Sequence, residues 1–252
     1  LTRNPSASVG QVLSEGEHRC VALAAFMAEL ATSGSKSSIV FDDPVSSLDH
    51  RHRAAVAKRL VADAGHRQVI VFTHDLAFLF ELDRAADEAH PRPSVAISSI
   101  TRGADKAGIC RGEPPFKARR VTDITTSLGR QRAGERYHFE QGNEDEWRKT
   151  VKSIASTLRD TWEIAVEEVV GHVIQRLSND VKTAGLVKLT AITVDDCQQM
   201  RNGFGRCSEL LHSAAAALNR PLPTPEALTA EIDALAVWAD SLRRRQGAVK
   251  LP

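Results

Sequence analysis

The spacing of apolar and polar positions divides the chain into two parts with different periods. Ile39-Val40-Phe41 and Val69-Ile70-Val71-Phe72 are continuous apolar runs too short for helices, and they predict buried strands over 37–42 and 68–73. Val95 to Ile100 predicts a third strand. Between and before them the period lengthens. Val21, Ala24, Ala25, Met27 and Leu30, widened by Leu23 and Phe26, predict a helix over 17–32. Residues 49–64 predict another, with Val56, Leu60 and Val61 inward, Arg51, Arg53, Lys58 and Arg59 outward, and Gly65 as its stop. A third runs over 75–88 and is broken by Pro91 and Pro93. Strand–helix–strand alternation of this kind predicts a parallel sheet with right-handed crossovers.

From Glu144 the pattern turns purely helical. Trp147, Val151, Ile154, Leu158, Trp162, Val166 and Val169 keep one helical face to about Leu177. Thr193, with Asp196 three residues on, opens a further helix that Gly203 and Gly205 interrupt, and another runs from about Arg206 to Leu218. Thr224 as cap and Pro225 in the first turn open a last helix, striped by Leu228, Ile232, Leu235, Trp238 and Leu242. Arg243, Arg244 and Arg245 suit its negative end. Residues 121–145 hold Gly129, Gly134 and Gly142 and show no period. The expected organisation is an α/β part over 1–120, a linker over 121–144 and an all-α domain over 145–252.

Composition adds bounds. The 252 residues are 42% hydrophobic and 26% charged, an ordinary globular balance able to bury a core. A net charge of +1 supplies no global field for nucleic acid, so any such contact rests on local clusters. Arg102, Lys106, Arg111, Lys117, Arg119 and Arg120 form one, read either as a solvated hairpin or loop or as a phosphate contact. Cys20, Cys110, Cys197 and Cys207 show no Cys-x-x-Cys spacing, which fits a reducing cytoplasm and speaks against a zinc knuckle. No run of 18 apolar residues suggests a membrane span. The chain begins with Leu1, and is expected to be part of something longer.

Candidate chemistry gathers at the strand ends. The first strand ends in Asp42-Asp43, then Pro44 and the polar turn Ser46-Ser47-Leu48-Asp49. Carboxylates at the carboxyl end of a buried parallel strand sit where α/β sheets place ligand chemistry. One could hold the water shell of a Mg²⁺ ion and the next could orient an attacking water. The second strand ends in Thr73-His74-Asp75 at the same sheet edge. Upstream, Ser14 and Glu17 have capping-box spacing at a helix start. Ser14 reads as a cap and equally as a phosphate contact, with Gly16 allowing close backbone approach.

Taken together, Leu13-Ser14-Glu15-Gly16-Glu17, the Phe41-Asp42-Asp43-Pro44 stretch through Asp49, and Thr73-His74-Asp75 resemble the catalytic part of an ABC-type ATPase head, most strongly over residues 10–80. The nearest resemblance is to the SMC/RecF/OLD-like branch and, within it, the RloC/PrrC anticodon-nuclease ATPases. That resemblance implies the C-terminal lobe of a P-loop ATPase that uses ATP and Mg²⁺. It implies Asp42 as the metal ligand, Asp43 as the group positioning water, and His74 at the γ-phosphate. Leu13, Ser14, Gly16 and Glu17 would close on a partner's nucleotide, and Asp49 would couple the subunits of a homodimer of ATP-sandwiched heads. Most ABC heads carry Asp-Glu where this chain has Asp42-Asp43, a base one methylene shorter. No Gly-x-x-x-x-Gly-Lys-Ser/Thr segment is present, so the phosphate loop is expected upstream, before a coiled-coil arm returning near Leu1.

The same resemblance implies chemistry in the helical part. Arg159 and Glu163 share a helix face, and Arg206 through His212 is similar to the Arg-x(4–6)-His motif of HEPN-type ribonucleases. Arginine, glutamate and histidine could stabilise a phosphorane and move protons in metal-free RNA cleavage. The i,i+4 pair reads equally as a surface ion pair. Expected partners are tRNA or DNA. The implied functions are a nucleotide-gated ribonuclease in phage defence, a DNA-end or repair clamp, or an ATPase regulating a separate effector.

Overall fold

A computed structural model describes residues 12–174, 181–215 and 221–250. The chain divides into two compact units, the first ending at Ile97 and the second beginning at Ser98.

In the first unit, α1 spans Glu15–Thr32. The Ser14 hydroxyl accepts from the Glu17 N–H at 3.3 Å, and the Glu17 carboxylate accepts from the Ser14 N–H at 2.8 Å, which closes the expected capping box. The buried stripe of α1 lies one step around from the expected one. Met27 is buried, Cys20, Leu23 and Leu30 pack beside it, and Val21 and Phe26 stay 52% and 43% exposed. β1 (Ile39–Asp42), α2 (His50–Ala64), β2 (Val69–Phe72) and α3 (Leu76–Glu88) follow. β1 and β2 pair in parallel, with Ile39 opposite Val69 and Asp42 opposite Phe72. One face of this pair packs Ile39 and Phe41 with Val45, Leu48, Leu60 and Phe78. The other leaves Val40, Ile70 and Phe72 at 56%, 36% and 46% exposure.

The expected third parallel strand is not formed. β3 (Ser99–Thr101) instead pairs antiparallel with β4 (Ile109–Arg111) as a hairpin of the second unit. The parallel sheet therefore has two strands among the described residues. Pro91 and Pro93 lack the N–H groups a ladder needs, and residues 92–98 run without regular structure.

The second unit is a helical bundle of α4 (Val121–Glu140), α5 (Glu144–Val170), α6 (Val194–Ala215) and α7 (Pro225–Ala248), with a 3₁₀ stretch over Thr183–Ala191. In place of the expected linker stands α4, whose Val121, Ile124 and Leu128 join the core. Its glycines hid it: Gly129 and Gly134 face open space on the helix, while Gly142 at φ 69° makes the turn into α5. α6 also runs unbroken through Gly203 and Gly205. Gly203 marks a close approach, since a Cβ there would collide with the Trp162 indole. The α7 stripe of Leu228, Ile232, Leu235, Trp238 and Leu242 is buried as its spacing predicts. The expected ends at Leu177 and Leu218 lie outside the described residues.

Cross-bundle bonds set the directions. The Trp147 indole donates to the Pro223 carbonyl and the Gln246 amide to the Val169 carbonyl, both at 2.9 Å, so α5 and α7 run parallel. Arg245 pairs with Asp196 while Arg206 pairs with Glu231, so α6 runs antiparallel to both. Burial pushes the Asp196 carboxyl up, but hydrogen bonds from Arg245 and Thr193 outweigh it and bring the pKa from 3.8 to about 2. Arg245 is thus spent on an ion pair rather than on its own helix end.

Candidate functional site

The ends of β1 and β2 bring Asp43 and His74 together. Asp43 Oδ2 lies 3.2 Å from His74 Nδ1, and the Thr73 hydroxyl donates to Asp43 Oδ1 at 3.2 Å. The backbone arranges this. Asp43 donates its N–H to the Phe72 carbonyl at 2.8 Å, extending the ladder by one rung. Its φ of 46° is left-handed, a conformation aspartate tolerates, and the chain turns away there. The Asp43 side chain is 24% exposed, whereas that of His74 is 86% exposed and open to a ligand. A carboxylate beside a histidine at an open sheet edge can orient a water and donate or accept a proton.

Asp42, the last residue of β1, is exposed. Its carboxylate has no protein partner among the described residues. Mg²⁺ takes one or two protein carboxylates and fills the rest of its shell with water and phosphate oxygens. A free hard-oxygen ligand beside the Asp43–His74 pair fits that requirement. Among the described residues no group of three or more His, Cys, Asp and Glu forms a ready cage, so the other ligands would be water and phosphate.

The start of α1 and the turn after Asp43 lie against each other. Leu13 is half-buried, and Ser14 and Glu17 are exposed. The hydrogen bonds from Ser14 hold the Glu17 carboxyl below its ordinary range. A Cβ on Gly16 would sit 2.7 Å from the Ser47 carbonyl oxygen, so only glycine allows this approach. The turn is anchored by Val45 and Leu48, 0% and 4% exposed, while the carbonyls of Ser46 and Ser47 between them face Arg19 and Gly16 of α1. Asp49 caps α2, accepting from the His52 N–H at 3.0 Å, with His52 Nδ1 2.8 Å away.

Three further residues, Arg53, Asp75 and Arg19, hold this site together. Arg53, expected to point outward, instead donates to the Leu48 carbonyl at 3.0 Å and pairs with Asp75 at 2.7 Å. Asp75 caps α3 through Ala77 and Phe78. Arg19 donates to the Ser46 carbonyl at 3.2 Å and to its hydroxyl. Asp75 is detectable as an N-cap candidate before an apolar run; the two arginines carry no local signal.

The four helical-part candidates are not drawn into one centre. Arg159 stacks over the Phe204 ring at 5.3 Å, and Glu163 and His212 are exposed. Arg206 is engaged by Glu231 at 2.6 Å. Because α6 runs antiparallel to α5, with Gly203 against Trp162 and Phe204 under Arg159, His212 falls about 16 Å along the bundle from Glu163 at 1.5 Å per residue. In the basic segment, Arg102, Lys106 and Arg111 are exposed on the hairpin, while Arg119 is taken up by Glu113 and the Pro114 carbonyl. The cysteines are free thiols. No helix among the described residues is long and apolar enough to cross a membrane.

Comparison with known proteins bears on this site. Residues 1–109 match the family described as an AAA domain. Over 71 residues the chain is 37% identical to the hemin import ATP-binding protein HmuV of Vibrio parahaemolyticus serotype O3:K6 (strain RIMD 2210633), covering 27% of this chain and 27% of that protein. The chain therefore spans little more than a quarter of that curated relative. No solved structure matches the chain at a significant level. Both matches support an ABC- or P-loop-type ATPase relationship for the amino-terminal part.

Proposed function

We propose that this chain carries the hydrolytic side of an ABC-type ATPase head, close to the RloC/PrrC group, and that its helical unit is the element the head controls. The observation that carries this reading is the Asp43–His74 pair beside the exposed Asp42 carboxylate at one edge of a parallel sheet. Asp43 orients the attacking water, His74 meets the γ-phosphate, and Asp42 holds Mg²⁺, which supplies charge neutralisation on the phosphates when bound. The bare apolar face of Val40, Ile70 and Phe72 supports the view that the site is one half of a larger one, since parallel sheets are normally covered on both faces. The other half contains the phosphate loop. Ser14 and Gly16, at a helix N-terminus, serve the nucleotide of a second head in an ATP-sandwiched homodimer.

The helical unit is better read as a controlled or partner-binding module than as a self-contained ribonuclease. The separation of His212 from Glu163 and the engagement of Arg206 by Glu231 weigh against a single centre within one copy. Nucleic acid, tRNA or DNA, remains the partner class for the exposed cations of the hairpin.

The test is ATP hydrolysis and tRNA cleavage by the full-length protein and its His212→Ala variant. Hydrolysis with no cleavage by either protein supports the reading. ATP-dependent cleavage that His212→Ala abolishes would assign the nuclease to the helical unit and overturn the second half of this proposal. Absence of hydrolysis would overturn the first.

A further inference from the structure

The turn after Asp43 is gripped from two sides. From α1, the backbone at Gly16 closes on the Ser47 carbonyl, and Arg19 holds Ser46 while its other arm pairs with Glu15 at 3.0 Å. From α2, Arg53 holds the Leu48 carbonyl with Nε and Asp75 with a terminal nitrogen. Asp75 in turn donates its own N–H to the Thr73 hydroxyl at 3.1 Å, and Thr73 donates to Asp43. These bonds form a continuous path from the start of α1, through the turn and Arg53, to the carboxylate beside His74.

Arg53 is a poor choice for helix stability alone. It lies near the start of α2, which opens His50-Arg51-His52-Arg53 with no acidic residue in its first turn. Cations there oppose the helix dipole. What the position gives is reach: the planar guanidinium makes two directed bonds to two separate elements, which a lysine ammonium on a flexible stem does not reproduce.

We infer that Arg53 is a positioning residue, which ties the turn carrying Ser46–Leu48 to the strand end carrying His74, so that movement of the α1 N-terminus on meeting a phosphate is delivered to the Asp43–His74 pair. This rests on the ATPase reading above. Arg53 acts through Asp75 and Thr73.

The experiment is steady-state ATP hydrolysis by the full-length protein carrying Arg53→Ala, Arg53→Lys, Asp75→Ala or the Arg53→Ala/Asp75→Ala double substitution, with Asp43→Asn alongside and thermal melting of each. Misplacing a catalytic group by a fraction of an ångström to an ångström can cost up to about a hundredfold. The expected result is a kcat about tenfold or more below wild type for Arg53→Ala, with KM within about twofold. Arg53→Lys is expected to recover little, and the double variant to be no worse than either single one, because both break the same path. Should Arg53→Ala or Asp75→Ala fail to fold, the kcat of Arg53→Lys, which keeps the charge and the stem, decides the matter by itself. A kcat unchanged in the variants, a KM rising in step with the loss, or effects that multiply in the double variant would overturn the inference and leave the ATPase reading standing. A wild type that does not hydrolyse ATP, or an Asp43→Asn protein as active as wild type, would overturn that reading and the inference with it.

Discussion

Asp43 and His74 face each other at 3.2 Å although the helix α2 and the strand β2 separate them along the chain. The parallel register of β1 and β2, with Asp42 opposite Phe72, sets both at the same sheet edge. Asp43 is the better shielded and His74 the more open of the two, which suits a fixed water-orienting carboxylate and a ligand-seeking histidine. Asp43→Asn keeps the size and removes the base. The expected outcome is a loss of ATP hydrolysis by about 10²–10⁴-fold in the full-length protein, with nucleotide binding retained. His74→Ala should show a smaller loss and a rise in KM if His74 meets the γ-phosphate as proposed. Steady-state kinetics with a nucleotide-binding titration checks both; a weakened affinity in Asp43→Asn with unchanged kcat would refute the assignment.

Gly16→Ala tests the contact between α1 and the turn. Alanine favours a helix over glycine by about 1 kcal/mol. Here that gain is opposed by a Cβ placed 2.7 Å from the Ser47 carbonyl, a backbone atom that cannot swing aside. Overpacking costs about 1–3 kcal/mol, so the net sign is destabilising. Thermal melting should show a Tm lowered by several degrees, at about 4–8 °C per kcal/mol for a unit of this size. A raised Tm would mean that α1 is free of the turn.

How far the sequence reveals this arrangement depends on how local each cause is. The capping pairs Ser14/Glu17 and Thr193/Asp196 and the stripe of α7 are legible because each depends on residues a few positions apart. The strands ending at Asp42 and Phe72 are legible for the same reason. The direction in which Arg53 turns is not, because its partners are a carbonyl in the preceding turn and a carboxylate beyond the next strand. The helix α4 is obscured because Gly129 and Gly134 read as breakers while packing of Val121, Ile124 and Leu128 overrides their cost. The stripe of α1 depends on what its neighbours bury, and that decides between Cys20-Leu23-Met27 and the apolar residues beside them.

Gly203→Ala makes the opposite-looking case in the helical unit. At an exposed helix position this change stabilises, by about 0.4–1 kcal/mol. Gly203 is instead buried against Trp162, a residue 2% exposed whose ring also packs edge-on against Trp238 at 5.3 Å between centroids. The indole has nowhere to go, and an overpacking cost of about 1–3 kcal/mol exceeds the propensity gain. Urea denaturation of the wild type and the variant measures the difference. A variant more stable than wild type would show that Gly203 is a tolerated helix residue and not a packing contact.

The Asp196–Arg245 pair gives the helical unit a defined acid limit. Arg245 reaches the carboxylate at 2.9 Å with one terminal nitrogen and closes on the second oxygen with the other, while Thr193 donates from both its N–H and its hydroxyl. The folded-state pKa of about 2 lies below the ordinary 3.8, so the ionised form is favoured by folding. The stabilisation is complete above about pH 4, diminishes as pH falls through the folded pKa, and is gone below about pH 2, a difference worth about 2 kcal/mol at 1.36 kcal/mol per pH unit. Asp196→Asn removes the charge at every pH. Its unfolding free energy should therefore fall short of wild type at pH 7 and converge toward it as the pH is lowered to 2. Guanidinium denaturation across that range reads the slope. Parallel curves for the two proteins would mean that neither Arg245 nor Thr193 favours the ionised form of Asp196 in the folded state.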